Sequence, residues 1–255
     1  MCGIINVMSE LSGSPPADEV GAANITFYAD LWSGARLHQP RRFNTWPLVE
    51  SLVAKAPNRL EIGPGMRPRL PIAGTCFVDL NETAAGALSA AGGYAGSARL
   101  TQLPFGADSF DLVAAFDILE HVPDDTLALT EITRVLRAGG LLLLSVPLHP
   151  SRWTEFDAIV GHYRRYLPAD LTDLLAKHGY RVERSALFGM QPKNTALVKF
   201  GMDRIRKGSR VAMAVYNWLI MPLAAIFQKP LRVQQGLIDT TNVDEIILVC
   251  RKRAM

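Results

Sequence analysis

Arg59-Leu60-Glu61-Ile62-Gly63-Pro64-Gly65, followed by Phe77-Val78-Asp79-Leu80, is the pair of stretches on which the fold turns. Each is a short β-rich run closed by an acid, and the first leads into Gly-x-Gly. Such a turn lets the backbone reverse tightly and approach a ligand closely, as in nucleotide-binding βαβ units. An acid at the end of the second strand is placed to accept hydrogen bonds from both hydroxyls of a ribose. The third glycine of a GxGxxG pattern is missing, because position 68 is proline, and this argues against a dinucleotide.

Outward from that pair, β-rich runs alternate with helical stretches. Strands are predicted at Arg59–Ile62, Cys76–Leu80, Ala98–Leu100, Phe110–Phe116 and Leu141–Val146, with helices near 82–91 and 124–137. The alternation implies an α/β fold with a parallel sheet and helices on both faces. A further helix opens at Pro168 and stops at Lys177-His178-Gly179. Tyr180 to Phe188 and Asp244 to Cys250 supply two more strands, seven in all. Residues 1–23 are expected to be a mobile lead-in, and residues 24–56 an arm of one or two helices rich in aromatics and arginines.

The chain has 255 residues, 49% hydrophobic and 20% charged, with a net charge of +3. That composition excludes disorder and supplies a core, and its balance gives no global reason to expect a nucleic-acid partner. Its three cysteines lie far apart and no Cys/His cluster has metal-ligand spacing, so neither a disulfide framework nor a metal is expected. The opening residues carry no signal-like pattern, and a cytoplasmic setting is expected.

Residues 195–236 differ in character. Seven basic residues (Lys199, Arg204, Arg206, Lys207, Arg210, Lys229, Arg232) stand against the one acid Asp203. Inside the segment, Val211 to Phe227 is apolar apart from Asn217 and contains Pro222. The run is shorter than the roughly 20 residues that span a bilayer. It reads as a helical lid over a cleft or a surface-seeking helix, with a peripheral membrane contact through 199–232, and equally as a helix buried in a homodimer interface or core.

Four further stretches are decisive: Leu103-Pro104-Phe105, Phe110-Asp111-Leu112-Val113, Asp117-Ile118-Leu119-Glu120-His121-Val122-Pro123-Asp124 and Leu136-Arg137-Ala138-Gly139-Gly140. In order and spacing, with the opening pair, they resemble class I S-adenosylmethionine-dependent methyltransferases of the broad group that includes ubiquinone and menaquinone biosynthesis enzymes. The resemblance implies a Rossmann-like seven-stranded sheet flanked by helices over 57–194. It adds an N-terminal helical arm, the insertion at 195–236, and a last core strand within 237–255. S-adenosyl-L-methionine is the implied cofactor. Gly63 and Gly65 would meet its methionine and ribose portion, Asp79 the ribose diol and Leu80 one adenine face. Leu100, Thr101 and Gln102 would meet the adenine edge, and Asp117 the methionine ammonium, with Glu61 supporting the loop. The plainer readings are a bare turn for the glycines, core for Leu80 and a helix cap for Asp117.

Three departures from that family stand out. Pro68 and Pro71 require the usual first helix to be short or broken, so Arg67 or Arg69 is expected to replace its dipole at the methionine carboxylate. Arg99 and Leu100 stand where many relatives place an acid, so adenine would be read by backbone groups. An Asn-Pro-Pro-Tyr type motif is absent, which disfavours nucleic acid as substrate.

For a hydroxyl acceptor a general base is needed. The histidines near the cleft are His121, His149 and His162, of which His162 leads because relatives carry a similar His-x-Arg-x-Tyr stretch; its alternative is a loop anchor beside Asp157 or Glu155. His38 and His178 have no such case. The aromatic arm and the apolar run favour a small lipophilic or aromatic acceptor, methylated at oxygen or carbon. The rival reading is a catalytically inactive module that keeps the fold and acts in binding or membrane docking.

Overall fold

The computed structural model describes residues 18–189, 210–226 and 228–254. Its centre is an eight-stranded sheet: β1 (Arg59–Ile62), β2 (Thr75–Asp79), β3 (Tyr94–Ser97), β4 (Phe110–Phe116), β5 (Leu136–Pro147), β6 (Tyr180–Leu187), β7 (Gln234–Gln235) and β8 (Glu245–Lys252). The spatial order is β3-β2-β1-β4-β5-β8-β6-β7. Strands β3 to β5 in that order run parallel, and β8 is inserted antiparallel between β5 and β6. The order reverses next to β1, so the crevice beyond the carboxyl ends of β1 and β4 is the place where open sheets of this kind take ligands. Strand β7, the one not expected from the sequence, is a two-residue edge pairing with Arg184 and Ser185, too short to leave a sequence signal.

The α/β expectation holds, with three shifts of boundary. The third strand lies at Tyr94–Ser97 and not at Ala98–Leu100, because Cys76 to Asp79 pairs in parallel with Tyr94 to Ser97 and this register outweighs their modest propensity. The fifth strand starts at Leu136 and carries Arg137-Ala138-Gly139-Gly140 as an irregularity opposite Phe110/Leu112. The lead-in expected over 1–23 gives way to helix before its end. Helix α1 (Glu19–Ser33) begins at the N-cap Asp18, whose carboxylate accepts from Gly21 N at 2.8 Å.

Helices cover both faces. One core, around Val113, Leu142 and Leu144, is closed by α4 (Asp125–Val135) and α6 (Pro168–Lys177), with α5 (Glu155–Ile159) between them in sequence. The opposite core, around Leu112, Leu143 and Ile247, is closed by α2 (Trp46–Val53). Helix α3 (Glu82–Ala90), capped by Asn81, follows β2. Residues 64–74 form turns with no helix, so the prolines not only shorten the usual first helix but remove it: Pro64, Pro68 and Pro71 supply no N–H donors.

Beyond β6 the described chain resumes as α7 (Arg210–Val215), a π-helical turn (Tyr216–Ile220) and α8 (Met221–Ile226). The wider turn carries the helix past Pro222, which has no N–H to give. The expected segment 195–209 and the lead-in 1–17 lie outside the described residues.

Helix α4 also holds the loop that follows β3. Glu131 accepts from Leu103 N at 2.9 Å, and Arg134 donates to the carbonyls of Phe105 (2.7 Å) and Leu103 (3.0 Å) while pairing with Glu131 at 2.7 Å. The Leu-Pro-Phe stretch is thus bolted beside β4. Arg134→Met is expected to lower stability by about 1–3 kcal/mol in urea unfolding, since carbonyl acceptors lose a charged partner. Arg137→Met, which breaks a more exposed pair with Asp111, should cost under about 1 kcal/mol.

Candidate active site

The Gly-Pro-Gly turn leaves β1 with both glycines at positive φ, 63° at Gly63 and 53° at Gly65. A Cβ on Gly63 would fall 2.3 Å from Ile118 Cδ1, and one on Gly65 would fall 2.4 Å from the Trp32 indole. Backbone conformation and close approach both demand glycine here. Gly63 N donates to Val78 O at 2.8 Å, and Gly65 N donates to Asp79 Oδ2 at 2.8 Å, while Asp79 Oδ1 accepts from Asn81 N at 2.8 Å. Burial raises the Asp79 pKa against these two bonds. Each of its oxygens keeps a lone pair for a further donor.

Glu61 supports the turn from below, as expected. Its carboxylate accepts from Arg69 N (2.9 and 3.1 Å) and Leu70 N (2.8 Å) and is buried, which pushes its pKa up to about 7. Leu80, next to Asp79, is 53% exposed and is therefore not core. Leu100 is different: its side chain is buried in the main core, and the half-buried Thr101 and exposed Gln102 follow it. Gln102 N donates to Arg99 O at 3.1 Å, closing that turn.

Asp117 ends β4 at φ 53°. It does not cap the following helix; its Oδ1 accepts from Ser145 Oγ at 2.6 Å and its N donates to Ser145 Oγ at 3.0 Å. Glu245, opening β8, faces it, and burial together with Asp117 holds the Glu245 carboxyl well above the usual range. Arg69 stands nearby with its guanidinium 3.7 Å above the Phe43 ring, and burial pushes its pKa down to about 10. Arg67 lies over Trp32 (4.9 Å) and Tyr216 (5.5 Å).

Two of the three histidines come together. The rings of His121 and His162 are 4.6 Å apart in an edge-to-face arrangement. His162 Nδ1 lies 2.9 Å from Asp157 Oδ1, and Arg165 donates to both oxygens of the same carboxylate at 2.7 and 3.0 Å. Burial would raise the Asp157 pKa, but bonds from His162, Arg165 and Thr154 hold it well below the carboxylate range. His149 is not part of this group; its Nε2 lies 2.8 Å from Thr240 O and anchors a loop.

The sequence reading missed Glu120, Asn24, Tyr28 and Trp32. Glu120 is fully buried with neither side-chain oxygen hydrogen-bonded, and its carboxyl is pushed well above the usual range by burial and by Asp117. Its Oε1 is 4.0 Å from His162 Nε2. Donor atoms of Glu120, His121 and His162 all lie within 4.8 Å of one another, so among the described residues these could hold a metal, a grouping that the distance of His162 along the chain conceals. From α1, Asn24 Nδ2 reaches His121 Nδ1 at 2.8 Å, and Tyr28 sits edge-on to His121 and stacked on Trp32. Only the aromatic density of the arm hinted at this cover.

The chemistry of these donors fits S-adenosylmethionine. The carboxylate of Asp79 is available to a ribose diol, the exposed Leu80 offers an apolar face to a purine, and carboxylates at the end of β4 suit an ammonium and a sulfonium.

Comparison with known proteins agrees. A family model described as a methyltransferase domain matches residues 69–144. A Mycolicibacterium smegmatis protein named as an S-adenosylmethionine-dependent methyltransferase is 38% identical over 89 residues, 33% of this chain and 34% of the relative. A demethylmenaquinone methyltransferase of Mycobacterium bovis is 37% identical over 123 residues, 43% of this chain and 53% of the relative. The chain thus spans between a third and about half of these relatives. Among solved structures, a Thermotoga maritima S-adenosylmethionine-dependent methyltransferase covers 91% of this chain and 92% of its own at TM-score 0.54 and 16% identity. The cyclase SpnF covers 96% and 100% at TM-score 0.57 and 16% identity. Residues 69–144 of the chain thus match a methyltransferase domain, on a fold that the chain shares with these solved structures.

His121 provides a pH test. Burial, and then the neighbouring His162, push its pKa from 6.5 down to about 3, so the unfolded chain binds a proton that the folded one refuses. The contribution of neutral His121 is therefore complete above about pH 6.5 and lost as pH falls toward the folded value. Relative to His121→Gln, the wild type should lose about 2 kcal/mol in urea unfolding between about pH 7.5 and about pH 5.

Proposed function

We propose that this chain transfers a methyl group from S-adenosylmethionine to a small lipophilic or aromatic acceptor, at oxygen or carbon. The observation that carries the reading is the Asp79 carboxylate, which ties down the Gly-Pro-Gly turn at the switch point of the sheet, beside an exposed Leu80. When bound, the cofactor supplies an electrophilic methyl group on a sulfonium. Asp79 would hold the ribose and Leu80 the adenine, with backbone groups of Leu100, Thr101 and Gln102 at its edge. Asp117 would hold the ammonium, and Gly63 and Gly65 leave room for the methionine portion.

The protein must then orient the acceptor and, for a hydroxyl, remove its proton. His162 would take the second task. Asp157 engages Nδ1, which would leave Nε2, 4.0 Å from Glu120 Oε1, as the basic atom. Asp157 also stabilises the imidazolium that forms, as the third member of a catalytic triad does. His121, held neutral by burial, would pack against the acceptor side and is not suited to accept a proton.

A second reading, a module that keeps the fold without methyl transfer, has one support: the cyclase SpnF shares this fold, so the fold does not by itself decide the reaction.

Calorimetric titration with S-adenosylhomocysteine tests the cofactor. Micromolar binding is expected, weakened at least about tenfold in Asp79→Ala. No binding by the wild type would leave the second reading standing. In an acceptor screen beginning with phenols and reduced quinones, His162→Ala should lower kcat about 10²–10⁴-fold with S-adenosylhomocysteine affinity unchanged.

A further inference from the structure

The helical run from Arg210 to Ile226 has one face that the fold accounts for and one that it does not. Inward, Asn217 is buried and donates from Nδ2 to Leu31 O at 2.8 Å, Met221 is buried, and Met213 and Tyr216 pack against Leu31 and Trp32. Outward, Val211, Val215, Trp218, Leu219, Leu223 and Ile226 are exposed, Val211 and Ile226 by 74% and 73%. Their spacing of three and four places them along one side of the helix. No charged residue occurs from 211 to 226. Since the inner face is anchored by a buried amide, the outer apolar stripe is presented in a set orientation and is not the product of a loose helix.

The surroundings of the stripe are cationic. Arg36 lies 3.7 Å above the Trp218 ring, whose Nε1 donates to Gly34 O at 3.0 Å, so the indole is satisfied and its ring remains outward. Lys229 and Arg232 are exposed just past the helix, and the sequence places Lys199, Arg204, Arg206 and Lys207 just before it, with Asp203 the one acid in that segment. A second copy of this chain seated on the stripe would bring two such sets of like charge together, which opposes association. An anionic bilayer surface complements both the stripe and its cations. At about 1.5 Å per residue the run is about 25 Å long, and no helix among the described residues is long and apolar enough to cross a membrane.

We infer that this helix docks the chain on an anionic lipid surface, lying in the plane of the interface with Trp218 at headgroup depth. The docking element is also a wall of the site, because Arg67, two residues past Gly65, contacts Tyr216 and reaches Asn217 Oδ1 at 3.5 Å. A lipophilic acceptor would then enter from the bilayer side, a consequence that rests on the methyl-transfer reading.

Sedimentation with vesicles of phosphatidylcholine, with and without phosphatidylglycerol, tests the docking. The chain should bind the phosphatidylglycerol vesicles, at least about tenfold more weakly at high salt or on phosphatidylcholine alone. Leu219→Asp with Ile226→Asp should weaken binding by about tenfold or more while leaving the melting temperature and S-adenosylhomocysteine affinity unchanged, since both side chains face outward. Absence of vesicle binding, or binding that the double variant does not weaken, overturns the inference. So does a concentration-dependent dimer that the variant disperses, which would make a second copy the occupant. Titration with S-adenosylhomocysteine on the same samples separates the two claims: intact cofactor binding without vesicle binding removes the docking alone, and vesicle binding without cofactor binding keeps the docking and removes acceptor entry.

Discussion

Two carboxylates hold the turn after β1, and the site depends on them. Methyltransferase-like sheets ordinarily leave that turn through a helix whose first N–H groups stabilise it and the ligand; residues 64–74 offer no such helix. Asp79 takes the N–H of Gly65 and Glu61 takes those of Arg69 and Leu70, so acceptors on β1 and β2, and not the hydrogen bonds of a first helical turn, hold this backbone. Backbone N–H groups left unpaired in this buried position would each cost about 1–3 kcal/mol. Burial opposes the charge on both acids, and the backbone bonds oppose burial.

The same turn is covered from outside by α1, through Trp32 on Gly65, and by the π-helical turn, through Tyr216 and Asn217 on Arg67. Close contact explains why the turn tolerates no side chain at Gly65. It also links parts remote in sequence: a ring contact runs from Trp32 to Tyr28, then to His121, then to His162. Movement of the arm would therefore be felt at the histidine pair as well as at the glycine turn.

Around His162 burial acts differently on three neighbouring groups. Asp157 is held well below the carboxylate range by three donors, whereas burial raises the pKa of the Glu120 carboxyl and lowers that of His121. A buried carboxyl and a buried imidazole flanking His162 make its surroundings poor in solvent, and there the His162–Asp157 bond is stronger than in water. That contrast arises from burial, which depends on the assembled structure.

The repeated strand-acid-turn pattern, the glycines, Asp79, Glu61 and the strand alternation were legible in the sequence because they obey local rules: backbone conformations open only to glycine, a period of two in strands and caps at helix ends. The loss of the first helix was legible in part, from Pro68 and Pro71. Other features were decided only in three dimensions. The third strand moved to Tyr94–Ser97 because register with β2 outweighs propensity. Leu100 became core while Leu80 stayed exposed, although both are leucines after a strand. His121 and His162 met, and His149 turned away to Thr240, because separate loops close over the ends of β4 and β5. Chain spacing determines what a segment can become; the pairing of distant segments determines which side chains share a solvent-free space, and with it their charge.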